Sequence, residues 1–135
     1  MKSSKTLLND VFGFNNFRPG QGEIIDAVAS GENVLAIMPT GGGKSLCFQL
    51  PALLNDGLTV VISPLIALMR DQVRGLQTAG VVAGAITSGN TQEETDTVFS
   101  QIVSGDLKLL YVAPERLNSS RIQNILRKSN VNSIA

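Results

Sequence analysis

Eight residues, Met38-Pro39-Thr40-Gly41-Gly42-Gly43-Lys44-Ser45, carry the densest chemical signal in this 135-residue chain. Three consecutive glycines remove Cβ atoms where a backbone must approach a ligand closely, and their N–H groups can converge on an anion. Lys44 adds an ammonium able to reach β- and γ-phosphates, and Ser45 a hydroxyl suited to Mg²⁺. The run follows an apolar stretch, Asn33 to Ile37, and opens a helical pattern carrying Leu46, Leu50, Leu53 and Leu54. A strand, a glycine-rich loop and a helix N-terminus in that order bind phosphate, because the helix end adds roughly half a positive charge. The general pattern has glycine five residues before Gly43, where this chain has Met38. The plainer alternative is a glycine turn with a surface lysine. At ordinary glycine usage of about 7%, three glycines before Lys-Ser in this setting rarely arise by chance.

The elements that position this loop read as α/β. Asn33–Ile37, Leu58–Ile62, Val81–Ile86, Lys108–Val112 and Val131–Ala135 are nearly continuous in aliphatic residues, as strands buried on both faces are. Helical patterns between them imply a mostly parallel sheet with helices on both faces. Gln21–Ala29 puts Ile24, Ile25 and Val28 on one face and stops at Gly31. Ser63-Pro64 predicts an N-cap followed by proline at the first helical position, opening a helix with Leu65, Leu68, Met69, Val73 and Leu76 in a stripe and Arg70, Arg74 and Gln77 opposite. Thr91 and Glu94 have capping-box spacing, with Gly105 as the stop. Ile122, Ile125 and Leu126 mark a last helix, and Pro51 is expected to kink or end the helix after the loop.

Composition removes several chemistries. The chain has no His, which excludes Ser-His-Asp and Cys-His catalysis and histidine metal sites. One cysteine, Cys47, makes neither an internal disulfide nor a zinc cage; it reads as a small buried hydrophobe and predicts a reduced, cytoplasmic setting. No apolar run approaches the ~18 residues of a membrane span, and Met1-Lys2-Ser3-Ser4-Lys5 does not begin a signal peptide. Eleven basic residues balance eleven acidic ones, so no global field draws in a polyanion. The balance fails locally: Glu93, Glu94, Asp96 and Asp106 are the only charges between Ser88 and Asp106, while Arg116, Arg121, Arg127 and Lys128 are the only charges after Glu115.

Four segments together resemble the RecQ family of DNA helicases. They are Phe17-Arg18-Pro19-Gly20-Gln21, the loop from Met38 to Ser45, Val61 through Val73, and Tyr111-Val112-Ala113-Pro114-Glu115-Arg116-Leu117. The similarity runs from about Leu7 to Ala135, and it accounts for Met38. It implies a RecA-like phosphate-loop lobe that uses ATP and Mg²⁺ to unwind duplex DNA by 3′-to-5′ movement along one strand, in repair and recombination. By that resemblance Phe14 and Arg18 contact the adenine base, and Gln21 pairs with its N6 and N7 edge, as amides do; the alternative is that the phenylalanines pack the helices. Ser63, Pro64 and Leu65 fall where the family grips single-stranded DNA, with Arg70 and Arg74 adding charge. Thr87, Ser88 and Arg116 are further candidates, Arg116 either contacting DNA or pairing with Glu115. All lie at or beyond strand C-termini, where open α/β sheets place their ligands.

The family's Asp-Glu-Ala-His motif, which supplies the metal-holding acid, does not occur in these residues. The expectation is therefore the N-terminal part of the first lobe, residues 1–135, without the second lobe or C-terminal modules. Such a piece should bind ATP without turnover. Three other readings stay open: a non-catalytic ATP- or single-stranded-DNA-binding module, a phosphate-loop kinase, and a translocase acting on RNA. Oligomeric state is not legible.

Overall fold

Apolar residues in the first 56 positions build helices and, among the described residues, no strand. The computed structural model describes residues 3–37 and 43–135, and the chain divides into two units, 1–56 and 57–135. In the first, α1 (Ser4–Asp10) is capped by Ser3, whose hydroxyl accepts the Thr6 N–H. α2 is Gln21–Ala29, as predicted, and α3 is Leu46–Leu54. Leu7, Leu8, Ile25, Leu46 and Leu50 form the core, with Phe12 and Phe17 packed against it. The helix after the loop does not end at Pro51: it continues to Leu54, and Leu50, Pro51 and Ala52 are all buried. Burial there outweighs a local cost of about 3 kcal/mol.

The strand expected at 33–37 does not form. Those residues join no ladder, and Leu35 and Ile37 are 88% and 89% exposed. A strand exists only through a partner's hydrogen bonds, and the other described elements of the first unit are helices. Apolar composition alone cannot supply a partner.

The second unit carries the sheet. β1 (Leu58–Ile62), β2 (Ala83–Ile86), β3 (Leu109–Val112) and β4 (Val131–Ile134) are all parallel, in the order β2-β3-β1-β4. The connections are α4 (Ile66–Thr78), α5 (Gln92–Ser104) and, after a short 3-10 helix at Pro114–Asn118, α6 (Ser120–Arg127). The step from β1 to β2 crosses the sheet in one direction, and the steps from β2 to β3 and β3 to β4 cross in the other. Right-handed crossovers then put α4 on one face and α5 and α6 on the opposite face. The core agrees: Leu58, Val60, Ile86, Leu110 and Val112 pack with Val98, Phe99 and Ile102 of α5 and Ile122 of α6. Gly84 lets α5 come close, since a Cβ there would sit 2.8 Å from Val98 Cγ2.

Two helix-start expectations had opposite outcomes. Thr91 and Glu94 form the capping box: the Thr91 hydroxyl accepts the Glu94 N–H at 3.1 Å, and the Glu94 carboxylate accepts the Thr91 N–H at 2.9 Å. Gly105 ends α5 in the left-handed region. Ser63-Pro64, however, is not the cap of α4, which starts at Ile66 with Leu65 at the cap position. The Ser63 hydroxyl accepts the Leu65 N–H in a local turn, one turn short of the first residues of α4. Leu65 and Leu68 are 58% and 47% exposed, so the buried stripe is Met69, Val73 and Leu76.

The capping box is testable in urea. Thr91→Ala should lower the unfolding free energy by about 1 kcal/mol. The Thr91 backbone N–H holds the Glu94 carboxyl below its ordinary pKa, so Glu94 stabilises the fold above that range and loses the effect as pH falls through its lowered value. The stability gap between wild type and Glu94→Ala should narrow in acid; a gap that widens would refute the assignment.

Candidate functional site

In the first unit the start of α3 brings three predicted residues together. Met38, Pro39, Thr40, Gly41 and Gly42 lie outside the described residues. Gly43 has φ +81° and leads into an exposed Lys44 and then Ser45, which occupies the cap position of α3. The Ser45 hydroxyl makes no capping hydrogen bond, which suits it to a cation's coordination shell. Gln21, at the start of α2, is only 3% exposed. Its Oε1 accepts the Arg18 backbone N–H at 2.8 Å, and its Nε2 donates to the Gly43 carbonyl at 3.0 Å. Arg18 is exposed, and Phe14 is 54% exposed while Phe12 and Phe17 pack the core. The phenylalanine cluster therefore splits: two members are structural and Phe14 is open. Cys47 is buried, and that burial pushes its thiol pKa up, as befits a small hydrophobe.

In the second unit one register aligns the other candidates. Ile62, Val112 and Ile86 stand abreast on β1, β3 and β2. Ser63, Ala113 and Thr87 therefore leave the sheet at the same end, on strands about 4.8 Å apart. The Ser63 N–H is tied to the Val112 carbonyl at 3.2 Å, and Pro64 and Leu65 are exposed beside it. Arg70 reaches from α4 to the turn after β2: its Nη2 lies where a Gly89 Cβ would be, next to exposed Ser88. Arg74 lies 3.8 Å from Asp71 on the exposed face of α4.

Thr87 is corrected. It is 1% exposed, its hydroxyl donates to Asn90 Oδ1 at 3.2 Å, and it accepts the Gly89 N–H at 3.2 Å. A hydroxyl committed twice inside a turn has nothing left for a phosphate, so Ser88 alone of that pair faces outward. Asn90, which the sequence reading passed over, is the residue that fixes the turn. Its amide donates to the Ala85 carbonyl at 2.8 Å and approaches Thr95 Oγ1 at 3.4 Å. The available signal was asparagine directly after Ser-Gly, a turn residue with its own backbone partners.

Arg116 sits in the 3-10 helix after β3, with its Nε buried and unbonded among the described residues. It makes no ion pair with Glu115 among the described contacts. It lines a cleft of about 240 Å³ with Asn90, Thr91, Phe99 and Arg121. Arg121 is already engaged, 4.0 Å over the Phe99 ring and 3.3 Å from Asp96. No cluster of three or more metal-ligating His, Cys, Asp or Glu side chains exists among the described residues, nor any helix long and apolar enough to cross a membrane.

A family model described as DEAD/DEAH box helicase matches residues 18–134. The chain is 48% identical over 130 residues to the ATP-dependent DNA helicase RecQ of Haemophilus influenzae, covering 96% of this chain and 21% of that protein. It is 45% identical over 130 residues to the protein of the same name from Synechocystis, covering 96% and 27%. The Bacillus subtilis protein of that name is 44% identical over 133 residues, covering 98% and 22%. The chain thus spans between a fifth and about a quarter of these relatives' length.

The turn after β2 generates its own prediction. Asn90→Ala strips the Ala85 carbonyl and the Thr87 hydroxyl of partners, and should destabilise the protein by about 1–3 kcal/mol in urea denaturation. A change within about 0.5 kcal/mol, as at an ordinary surface position, would show that the asparagine does not hold the turn.

Proposed function

The chain belongs to the RecQ branch of the DEAD/DEAH box helicases, and from that premise we propose that it is the ATP-binding, N-terminal part of a helicase lobe. The parent protein would couple ATP hydrolysis to 3′-to-5′ unwinding of DNA in repair and recombination. The observation that carries the nucleotide reading is local. Gly43, in the left-handed region, hands the chain to Lys44 and Ser45, which open α3.

Each residue then has a role in binding. The N–H groups of the loop Met38–Gly43 would cradle the phosphates, and Lys44 would neutralise their β- and γ-oxygens. The Ser45 hydroxyl, which makes no capping hydrogen bond to α3, fits Mg²⁺, which when bound screens the charge on those oxygens. Gln21 uses one N–H and one lone pair on Gly43 and Arg18. An amide has one more of each, the pair that the N7 and N6 edge of adenine requires. Phe14 and Arg18, both upstream of α2 in the chain, are exposed and suit contact with the base.

Single-stranded DNA would cross the C-terminal end of the sheet. Ser63, Pro64 and Leu65 lead into the N-terminus of α4, whose cap position makes no side-chain hydrogen bond, leaving backbone N–H groups for a phosphate. Arg70 beside Ser88, and Arg116 on the neighbouring strand exit, would supply further backbone contacts. The 135 residues contain no Asp-Glu-Ala-His motif, so these residues alone should bind nucleotide without turnover.

Titration with a fluorescent ATP analogue and Mg²⁺ tests the nucleotide site. Lys44→Ala should weaken binding more than about tenfold, the worth of one charge-assisted hydrogen bond, and neither form should release phosphate. Binding indifferent to Lys44 would overturn the reading. For the DNA face, Arg70→Ala should weaken an oligonucleotide irrespective of its sequence. It should also reduce the dependence of log affinity on log salt by about 0.7, the single-strand value for one phosphate contact.

A further inference from the structure

β2 pairs with β3 on one side and, among the described residues, with no strand on the other. The carbonyls of Val82 and Ile86 accept the Lys108 and Ala113 N–H groups, so the alternate residues, Ala83 and Ala85, turn theirs outward. Edges of this kind are commonly guarded by lysine, proline or a bulge. Residues 75–92, which include the whole strand, hold no charged residue and no proline. The run Val81-Val82-Ala83-Gly84-Ala85-Ile86-Thr87 has the uncharged, largely aliphatic composition that pairs with copies of itself.

Two amides stand where a further strand would lie. Gln77, in the last turn of α4, donates from Nε2 to the Ala83 carbonyl at 2.9 Å, and Asn90 donates from Nδ2 to the Ala85 carbonyl at 2.8 Å. Their roles differ. Asn90 also accepts the Thr87 hydroxyl and so fixes the turn. Gln77 is exposed, and the Ala83 carbonyl is its partner among the described bonds. Water would satisfy an exposed glutamine equally well, so the bond adds little to folding. What it does is deny the Ala83 carbonyl to the N–H of another chain.

Charge flanks the same edge. The cleft over β2, about 450 Å³, has Arg70 and Arg74 on its α4 wall and Glu93 and Glu94 on its α5 wall. These helices cover opposite faces of the sheet, so an antiparallel second β2 laid against the first would bring α4 to α4 and α5 to α5. Arginines would meet arginines and glutamates glutamates, a repulsion that salt screens.

We propose that Gln77 closes the β2 edge against a second copy of this chain, with the like charges on α4 and α5 as a second barrier. Removing the amide exposes a strand-pairing surface.

Sedimentation velocity over a concentration series tests this on wild type, Gln77→Met and Gln77→Glu. Both replacements are good helix formers at an exposed position, and thermal melts report folding. Methionine has the reach of glutamine without a donor; glutamate also lacks the donor but sets a negative charge at the edge. Gln77→Met should self-associate about tenfold more tightly than wild type, the worth of one or two strand hydrogen bonds. It should associate more tightly still at about 0.5 M NaCl than at low salt. Gln77→Glu should stay at the wild-type level. Amide exchange locates the contact: the Ala83 and Ala85 N–H groups should slow as Gln77→Met is concentrated, and not in wild type. Association of Gln77→Met no tighter than that of wild type at either salt overturns the proposal. So does equal association of the two variants, which would reflect a loosened α4, or association that leaves exchange at Ala83 and Ala85 unchanged.

Discussion

The alignment of β1, β3 and β2 in one register is the constraint on which the second unit depends. Ile62, Val112 and Ile86 stand side by side, and that row decides where Ser63, Ser88 and Arg116 emerge. What holds the row is burial. Val60, Leu110, Val112 and Ile86 face α5 and α6, and a slip of one residue would turn each strand's core side chains to the wrong face. The polar site thus inherits its geometry from the apolar core beneath it. Close packing reinforces this at Gly84, where Val98 of α5 fills the space a Cβ would take.

Side-chain amides do much of the remaining positioning, each by satisfying a carbonyl outside any ladder. Gln77 donates to the Ala83 carbonyl at 2.9 Å and Asn90 to the Ala85 carbonyl at 2.8 Å. Both carbonyls lie on the open side of β2, an edge strand of the sheet. Unpaired carbonyls on an edge invite another chain to add a strand, and the two amides occupy those positions. Gln21 does the equivalent for Gly43 in the first unit. The shared physics is that buried backbone polar groups must find partners, and where the ladder ends a side chain serves.

Much of the fold was legible in the sequence because it follows from periodicity and local chemistry. The aliphatic runs at 58–62, 81–86, 108–112 and 131–135 became strands or contain them, and α2, the Thr91–Glu94 capping box and the Gly105 stop appear where their residues point. The misses share a cause. Residues 33–37 have strand composition, yet strand formation depends on a partner that composition does not reveal. Ser63-Pro64 has the form of a helix start, but the serine hydroxyl closes a tighter turn and α4 begins later. At the site, the sequence identified the turn after β2 but not which of its polar groups is free. Thr87 and Ser88 are adjacent hydroxyls of similar chemistry, and only the backbone path buries one and exposes the other. Asn90 was overlooked because its partners are backbone and turn atoms, which leave no long-range pattern.

Charge sharpens the point about anion recognition. The chain is neutral overall, and the positive groups near the sheet's C-terminal end stand among acids: Arg121 is 3.3 Å from Asp96, and Arg70 acts on the Glu94 carboxyl. Acids in the first turn of α5 also offset that helix's dipole. A broad electrostatic attraction is therefore weak, and long-range steering contributes little. Selection for phosphate, where the proposed sites bind it, would have to come from short-range geometry at Lys44 and at the arginines near the strand exits.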